Sequence, residues 1–263
     1  MELTVLDPRP GDTVSRVPIA DASTCDDAIA RARAAAGAEE RAELSEQETG
    51  KLKEDALGGV EAGAATLVQY AELGPLHRGR SLCGAWAATD LMVPEPRGVV
   101  AVLTPWNDPI AVAAGLLGAA LVSGNTLVHK PSERCPRTGR RFAQLVAAQL
   151  PDGVLEIVNG DATVGARLAA AKEVDLVSHV GSSATGREIA RACAERGAKA
   201  LLENGGNDAL IVDAGVEPRW AAEQAALGAF ANAGQICVSV ERIYVVQSVA
   251  DAFVDALVNE ARA

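Results

Sequence analysis

The chain has 263 residues, 49% of them hydrophobic and 3% aromatic, and carries a formal net charge of -11 at pH 7. That length buries an ample core in one large or two modest domains without metal or disulfide staples. The acidic balance speaks against a nucleic-acid partner, because affinity for a phosphate backbone comes mainly from Lys and Arg.

Five cysteines, Cys25, Cys83, Cys135, Cys193 and Cys237, form no Cys-x-x-Cys pair, and an odd count disfavours a disulfide framework. His77, His129 and His179 have no ligand spacing, so no metal site is expected. The first residues show no basic start followed by an apolar stretch, and no run of 18 apolar residues occurs. With free thiols suited to a reducing compartment, a cytoplasmic protein without a membrane partner is expected.

Short β-like runs over residues 1–20, broken by Pro8-Arg9-Pro10-Gly11, predict an N-terminal hairpin. Ser23-x-x-Asp26 reads as a capping box opening a helix that ends near Gly37. The Glu-rich stretch that follows reads as a solvated helix face, and Leu57, Val60, Ala64, Leu67 and Ala71 recur at spacings that predict a helix over 54–73. Residues 82–93 look strand-like and turn at Pro94-Glu95-Pro96, as an edge or protruding ribbon does.

From Val99 a regular alternation begins. Apolar runs at 99–103, 126–130, 154–158, 174–180 and 198–202 read as strands buried in a parallel sheet, with helices between them. Asp108 is expected to cap the first of these helices, with Pro109 at its first position. The pattern predicts an α/β fold with a doubly wound parallel sheet and right-handed crossovers, binding ligands at the carboxyl ends of its strands. After Glu203, strands at 208–212 and 242–246 and helices at 217–233 and 249–261 read as the incomplete start of a second α/β unit.

The strand ends carry loops with chemical potential. Asn107, after Trp106, has an amide that can donate to an oxyanion or make an Asx-turn. Lys130-Pro131-Ser132-Glu133 can grip a ribose or form a surface ion pair. Gly181-Ser182 opens a helix whose first backbone N–H groups suit phosphate, or is an ordinary glycine turn. Glu203 is followed by Gly205-Gly206, which admits close backbone approach. Cys237 lies in a Gly-Gln-Ile-Cys loop and is either a nucleophile or a small buried hydrophobe.

Together these loops resemble the aldehyde dehydrogenase superfamily. The resemblance rests on Thr104-Pro-Trp-Asn107, Gly124-Asn-Thr-Leu-Val-His-Lys130-Pro-Ser-Glu133, Gly153-Val-Leu-Glu-Ile-Val-Asn-Gly160, Val180-Gly-Ser-Ser-Ala-Thr-Gly186, Leu202-Glu-Asn-Gly-Gly206 and Gly234-Gln-Ile-Cys237, in the family's order, with Glu48-Thr49-Gly50-Lys51 fitting its N-terminal part. It implies oxidation of an aldehyde to a carboxylic acid, with hydride transfer to NAD, or NADP. Cys237 would be the nucleophile, Asn107 the oxyanion donor and Glu203 the base that activates hydrolytic water. Trp106, Lys130, Ser132, Glu133, Gly160, Gly181, Ser182 and Gly205 would form the cofactor site. Residues 1–203, including a ribbon at 80–97, would be a Rossmann-like dinucleotide-binding domain, and 204–263 an incomplete catalytic domain.

The sequence also departs from the family. His179-Val180 stands where the family has an aromatic-Thr pair, and Asn204 where a Leu is usual. A helical segment before Glu48 is expected to be absent, and the chain is expected to be C-terminally truncated relative to the family. Two alternatives follow: a catalytically degenerate NAD-binding protein, or one part of a split enzyme. The expected partners are an aldehyde and either a second copy or a complementing chain.

Overall fold

The computed structural model describes the backbone of residues 2–6 and 13–18 and, in full, residues 38–262. The chain divides into two compact units, Met1–Gly37 and Ala38–Ala263. In the first, β1 (Glu2–Leu6) pairs antiparallel with β2 (Thr13–Pro18), as the hairpin reading expects. The turn at 8–11 and the helix expected from Ser23 to Gly37 lie outside the described residues.

The second unit opens with α1 (Ala38–Thr49) and α2 (Lys53–Leu73). The Glu-rich stretch is helical but not wholly solvated, since Ala42 and Ser45 are buried. On α2 the buried positions are small: Ala56, Gly59, Val60 and Gly63. They let α3 (Pro109–Val122) approach closely, so that a Cβ on Gly63 would lie 3.0 Å from the Ile110 side chain. A ribbon, β3 (Arg80–Leu82) and β4 (Asp90–Met92), pairs antiparallel and is exposed along its length.

Five strands form the central sheet: β5 (Val99–Leu103), β6 (Thr126–Lys130), β7 (Leu155–Ile157), β8 (Leu176–Gly181) and β9 (Lys199–Asn204). All neighbours are parallel, in the order β7-β6-β5-β8-β9. Because side chains alternate along a strand, β5 feeds both faces. Val100 and Val102 pack with Ile110 and Leu117 of α3, Phe142 of α4 (Pro136–Ala147) and Val60 of α2. Ala101 and Leu103 pack with Ala169 of α5 (Ala162–Ala170) and Ile189 and Cys193 of α6 (Ser183–Arg196). The chain steps outward from β5 to β7, then returns to β8 on the other side of β5. The carboxyl ends of β5 and β8 therefore meet at a topological switch point, the place where such sheets bind ligands.

Beyond β9, β10 (Asp208–Val212) and β11 (Val240–Val245) form a separate two-stranded parallel sheet. One face packs on α7 (Pro218–Phe230) and α8 (Ala250–Glu260) through Val212, Ala221, Ala222, Ala225 and Phe253. The other face is bare, with Ile211 76% and Tyr244 54% exposed.

Candidate active site

The loop after β5 is fixed from beneath. Thr104 donates its backbone N–H to the Lys130 carbonyl at 3.2 Å, and its hydroxyl lies 2.9 Å from Nε2 of His129. His129 is fully buried, and desolvation first, then the neighbouring Lys130 charge, push its pKa down to about 3. It is therefore a neutral strut. Trp106 follows, half-buried, with the Arg134 guanidinium 5.1 Å above its ring.

Asn107 is tied to the other end of the site. Its Nδ2 donates to the Gln235 carbonyl at 2.7 Å, and Nδ2 of Asn232 donates to the carbonyls of Asn107 at 3.2 Å and Gln235 at 3.3 Å. These amides lock the loop after β5 to the loop before Cys237. Asn232, Ala233 and Gly234 all adopt positive φ, at 55°, 58° and 71°. Left-handed backbone is costly for Ala and tolerable for Asn, so the side-chain bonds of Asn232 hold a turn the backbone alone disfavours. A recess of about 180 Å³ opens here, bordered by Asp55, Asn107, Asp108, Ala231, Asn232 and Ile236.

Asp108 corrects an expectation. It occupies the position before α3, yet its carboxylate makes no capping bond; its Oδ1 lies 3.5 Å from Nζ of Lys51, whose side chain is 1% exposed. A buried ammonium without a counter-charge costs more than a missing cap, so the ion pair prevails. Gly59 makes room, since a Cβ there would lie 2.6 Å from the same oxygen.

Cys237 is an exposed free thiol. Its carbonyl accepts from the Gly206 backbone N–H at 3.2 Å, and a Cβ on Gly206 would come within 2.7 Å of that oxygen. The expected close backbone approach is thus made by Gly206, while Gly205 is open. Glu203 lies on β9 opposite Val180, exposed, three residues before this stitch. By contrast, Cys135 is buried, and its thiol is pushed up to about 12 by burial above all and then by Glu48. It cannot serve as a nucleophile near neutrality.

The remaining loops surround the switch point. Lys130 is buried, and its Nζ lies 3.2 Å from both the Pro131 carbonyl and Oε2 of Glu133, which is exposed. The Glu133 carboxyl is held below its ordinary range by its own backbone N–H first and by Lys130. Ser132 accepts from the Arg134 N–H at 3.3 Å. Gly160 packs so closely on Val164 that a Cβ would sit 2.3 Å from its methyl group. Gly181 ends β8 directly over the His179 ring, at 2.6 Å from a hypothetical Cβ, and Ser182 caps α6 by accepting from the Thr185 N–H at 3.2 Å.

Three features escaped sequence reasoning. Asn232 is one, although Asn-Ala-Gly before a Cys loop is a legible left-handed signal. The Lys51–Asp108 pair joins positions 57 apart and has no local signature. Glu48 is the third: its carboxylate accepts from the backbone N–H groups of Arg137 at 3.1 Å and Thr138 at 2.9 Å, capping α4 from α1. Among the described residues no group of three or more His, Cys, Asp or Glu is placed to hold a metal, and no helix is long and apolar enough to cross a membrane.

Fold and loops define a doubly wound α/β protein in which the loop after β5 is bonded, through Asn107, to the loop before Cys237. An aldehyde dehydrogenase family model matches residues 35–263, and the chain belongs to that family. Betaine aldehyde dehydrogenase of Bacillus subtilis is 36% identical over 227 residues, covering 85% of this chain and 46% of its own length. Succinate-semialdehyde dehydrogenase from Burkholderia pseudomallei superimposes with a TM-score of 0.83 at 31% identity, covering 100% of this chain and 60% of that one. PnpE in complex with nicotinamide adenine dinucleotide gives 0.81 at 29% identity, with 100% and 60% covered. The chain spans about half the length of the curated relatives it matches.

Proposed function

We propose that the chain carries the nucleophile, base and oxyanion donor of an NAD(P)-dependent aldehyde dehydrogenase. The Cys237 thiolate adds to the aldehyde carbon, forming a carbon–sulfur bond and an oxyanion. A primary amide has two N–H donors. Asn107 commits one to Gln235, and the other, with the Cys237 backbone N–H, is available to the oxyanion, a contribution of roughly 3 kcal/mol. NAD(P), when bound beside Cys237, would supply the acceptor for the hydride on that carbon. Glu203 then takes a proton from water, the water oxygen attacks the thioester, and the carboxylic acid departs as the Cys237 thiolate is released.

The residues fit a dinucleotide. Glu133, exposed and paired with Lys130, presents a carboxylate to ribose hydroxyls. Ser182 and the first N–H groups of α6 face the end of β8, where a pyrophosphate would be stabilised by the helix start. Trp106, Gly160, Gly181 and Gly205 would line the approach on this reading, and Ser132 orders the loop that holds Glu133. A carboxylate at Glu133 repels a ribose phosphate, so NAD is preferred over NADP. On this reading residues 1–203 bind the dinucleotide and 204–263 begin the catalytic portion, and the free thiols fit a cytoplasmic setting.

The observation that supports the reading is the double stitch by which Asn107 bonds Gln235, two residues before Cys237, and Gly206, three residues after Glu203, bonds the Cys237 carbonyl. Purified protein should reduce NAD+ with members of a broad aldehyde panel. Calorimetric binding of NAD+ without any turnover would instead favour the degenerate NAD-binding protein. The bare face of β10 and β11 favours a second reading, in which a complementing chain completes the site; turnover would then appear only on adding that chain.

A further inference from the structure

The recess beside Asn107 is walled by two carboxylates, Asp55 and Asp108, and its other bordering residues are two amides and two aliphatic side chains. Among the described residues the cation paired with this wall is Lys51, and it is sequestered: its side chain is 1% exposed, with Nζ 3.5 Å from Oδ1 of Asp108. The Asp108 side chain remains 34% exposed, and its Oδ2 has no hydrogen bond among the described residues. Asp55, half-buried in the first turn of α2, has no hydrogen bond or ion pair among the described residues. Lys51 neutralises one of the two carboxylates, so the recess keeps one negative charge facing the space next to the oxyanion donor.

We propose that Asp55 and Asp108 make this recess selective for aldehydes bearing a cationic group, such as an ammonium, and against aldehydes bearing a carboxylate. The proposal rests on the recess being the aldehyde site. A partly enclosed wall of one sign focuses its field on a small volume, attracting a substrate of opposite charge and repelling one of like charge. A purely local role for the same residues, with Asp55 favouring the start of α2 and Asp108 balancing Lys51, predicts no such effect on a molecule entering from solvent.

Charge-matched thiol reagents read this out without any turnover. Cationic trimethylammonium and anionic sulfonate methanethiosulfonates of equal length would be applied to the whole chain, and the rate at each cysteine followed by peptide mass spectrometry. Exposed Cys83, between β3 and β4 and not among the residues bordering the recess, is the internal reference. The cation-to-anion rate ratio should be higher at Cys237 than at Cys83, should fall about threefold or more at Cys237 in Asp55→Asn, as expected on removing one unit charge near a partly solvated site, and should flatten in about 0.5 M salt. Asp108→Asn should lower it further, and if that variant fails to fold because Lys51 is left unpaired, Asp55→Asn carries the test alone. A ratio at Cys237 equal to that at Cys83 and unmoved by Asp55→Asn overturns the proposal. Absence of aldehyde oxidation with the ratio intact would instead count against the catalytic reading alone.

Discussion

Asn107 does two jobs with one side chain, and the two can be separated. Its Nδ2 holds the Gln235 carbonyl at 2.7 Å, so truncation loosens the Cys237 loop as well as removing an oxyanion donor, while the backbone carbonyl that accepts from Asn232 is kept. Asn107→Ala should lower kcat by about 10²- to 10³-fold with NAD+ affinity by calorimetry unchanged; a parallel collapse of both would mean that the residue only supports the fold. Glu203→Gln should keep a first stoichiometric burst of NADH and lose the steady rate, because its proposed role comes after hydride transfer. A burst lost along with the steady rate would contradict that order.

Histidine burial makes the protein acid-sensitive at the same scale. His129 and His179 are both held below the ordinary value, each by desolvation above all, and among the described residues neither ring nitrogen of His179 has a well-formed hydrogen bond. The Ser182 and Leu103 backbone groups lie near enough to the ring to oppose part of that shift. A depressed folded pKa means that the unfolded chain binds the proton first. The stability these neutral rings contribute is complete above about 6.5 and is lost as pH falls toward about 3 for His129. Urea midpoints should therefore drop from pH 7 to pH 5, and His179→Phe, which removes an unpartnered polar ring, should raise the midpoint and flatten that drop. An unchanged slope would refute the assignment.

At the scale of elements, α1 matters because it reaches over to α4. Glu48 bonds the backbone N–H groups of Arg137 and Thr138 and the Thr138 hydroxyl at 2.6 Å, supplying the cap that Cys135 does not. Glu48→Ala should cost about 1–2 kcal/mol in chemical denaturation, the usual loss of a good cap; a loss below a few tenths would show the contact to be incidental. Much at this scale was legible in the sequence. The apolar runs at 99–103 and 126–130 coincide with β5 and β6, and the 3–4 spacing in 54–73 predicts α2 within a residue. The loops' order also carried the family resemblance, on which the proposed roles of Cys237, Glu203 and Asn107 rest. What stayed hidden were partnerships between distant positions. Asp108 looked like a local cap, and only its proximity to Lys51 redirects it. Gly206, not Gly205, meets Cys237, a distinction that needs three dimensions.

Across the whole second unit, the two sheets differ in protection. The central strands of the five-stranded sheet are covered on both faces, whereas β10 and β11 have helices on one face and Ile211 and Tyr244 exposed on the other. Local opening is easiest where few apolar contacts are lost. Hydrogen exchange should be slowest at Val100–Leu103 and markedly faster at Ala209–Val212. Equal protection would imply that the bare face is covered in solution, as a second copy or a complementing chain would do.

The account stands on Cys237 as the group that takes up the aldehyde. The most direct measurement mixes the protein with NAD+ and an aldehyde and follows nicotinamide reduction in the first turnover, alongside intact mass. The account predicts a burst stoichiometric with Cys237 and an acyl adduct on its peptide, both abolished by Cys237→Ala and unaffected by Cys83→Ala. A burst that survives Cys237→Ala, or bound NAD+ that no aldehyde reduces, would contradict it.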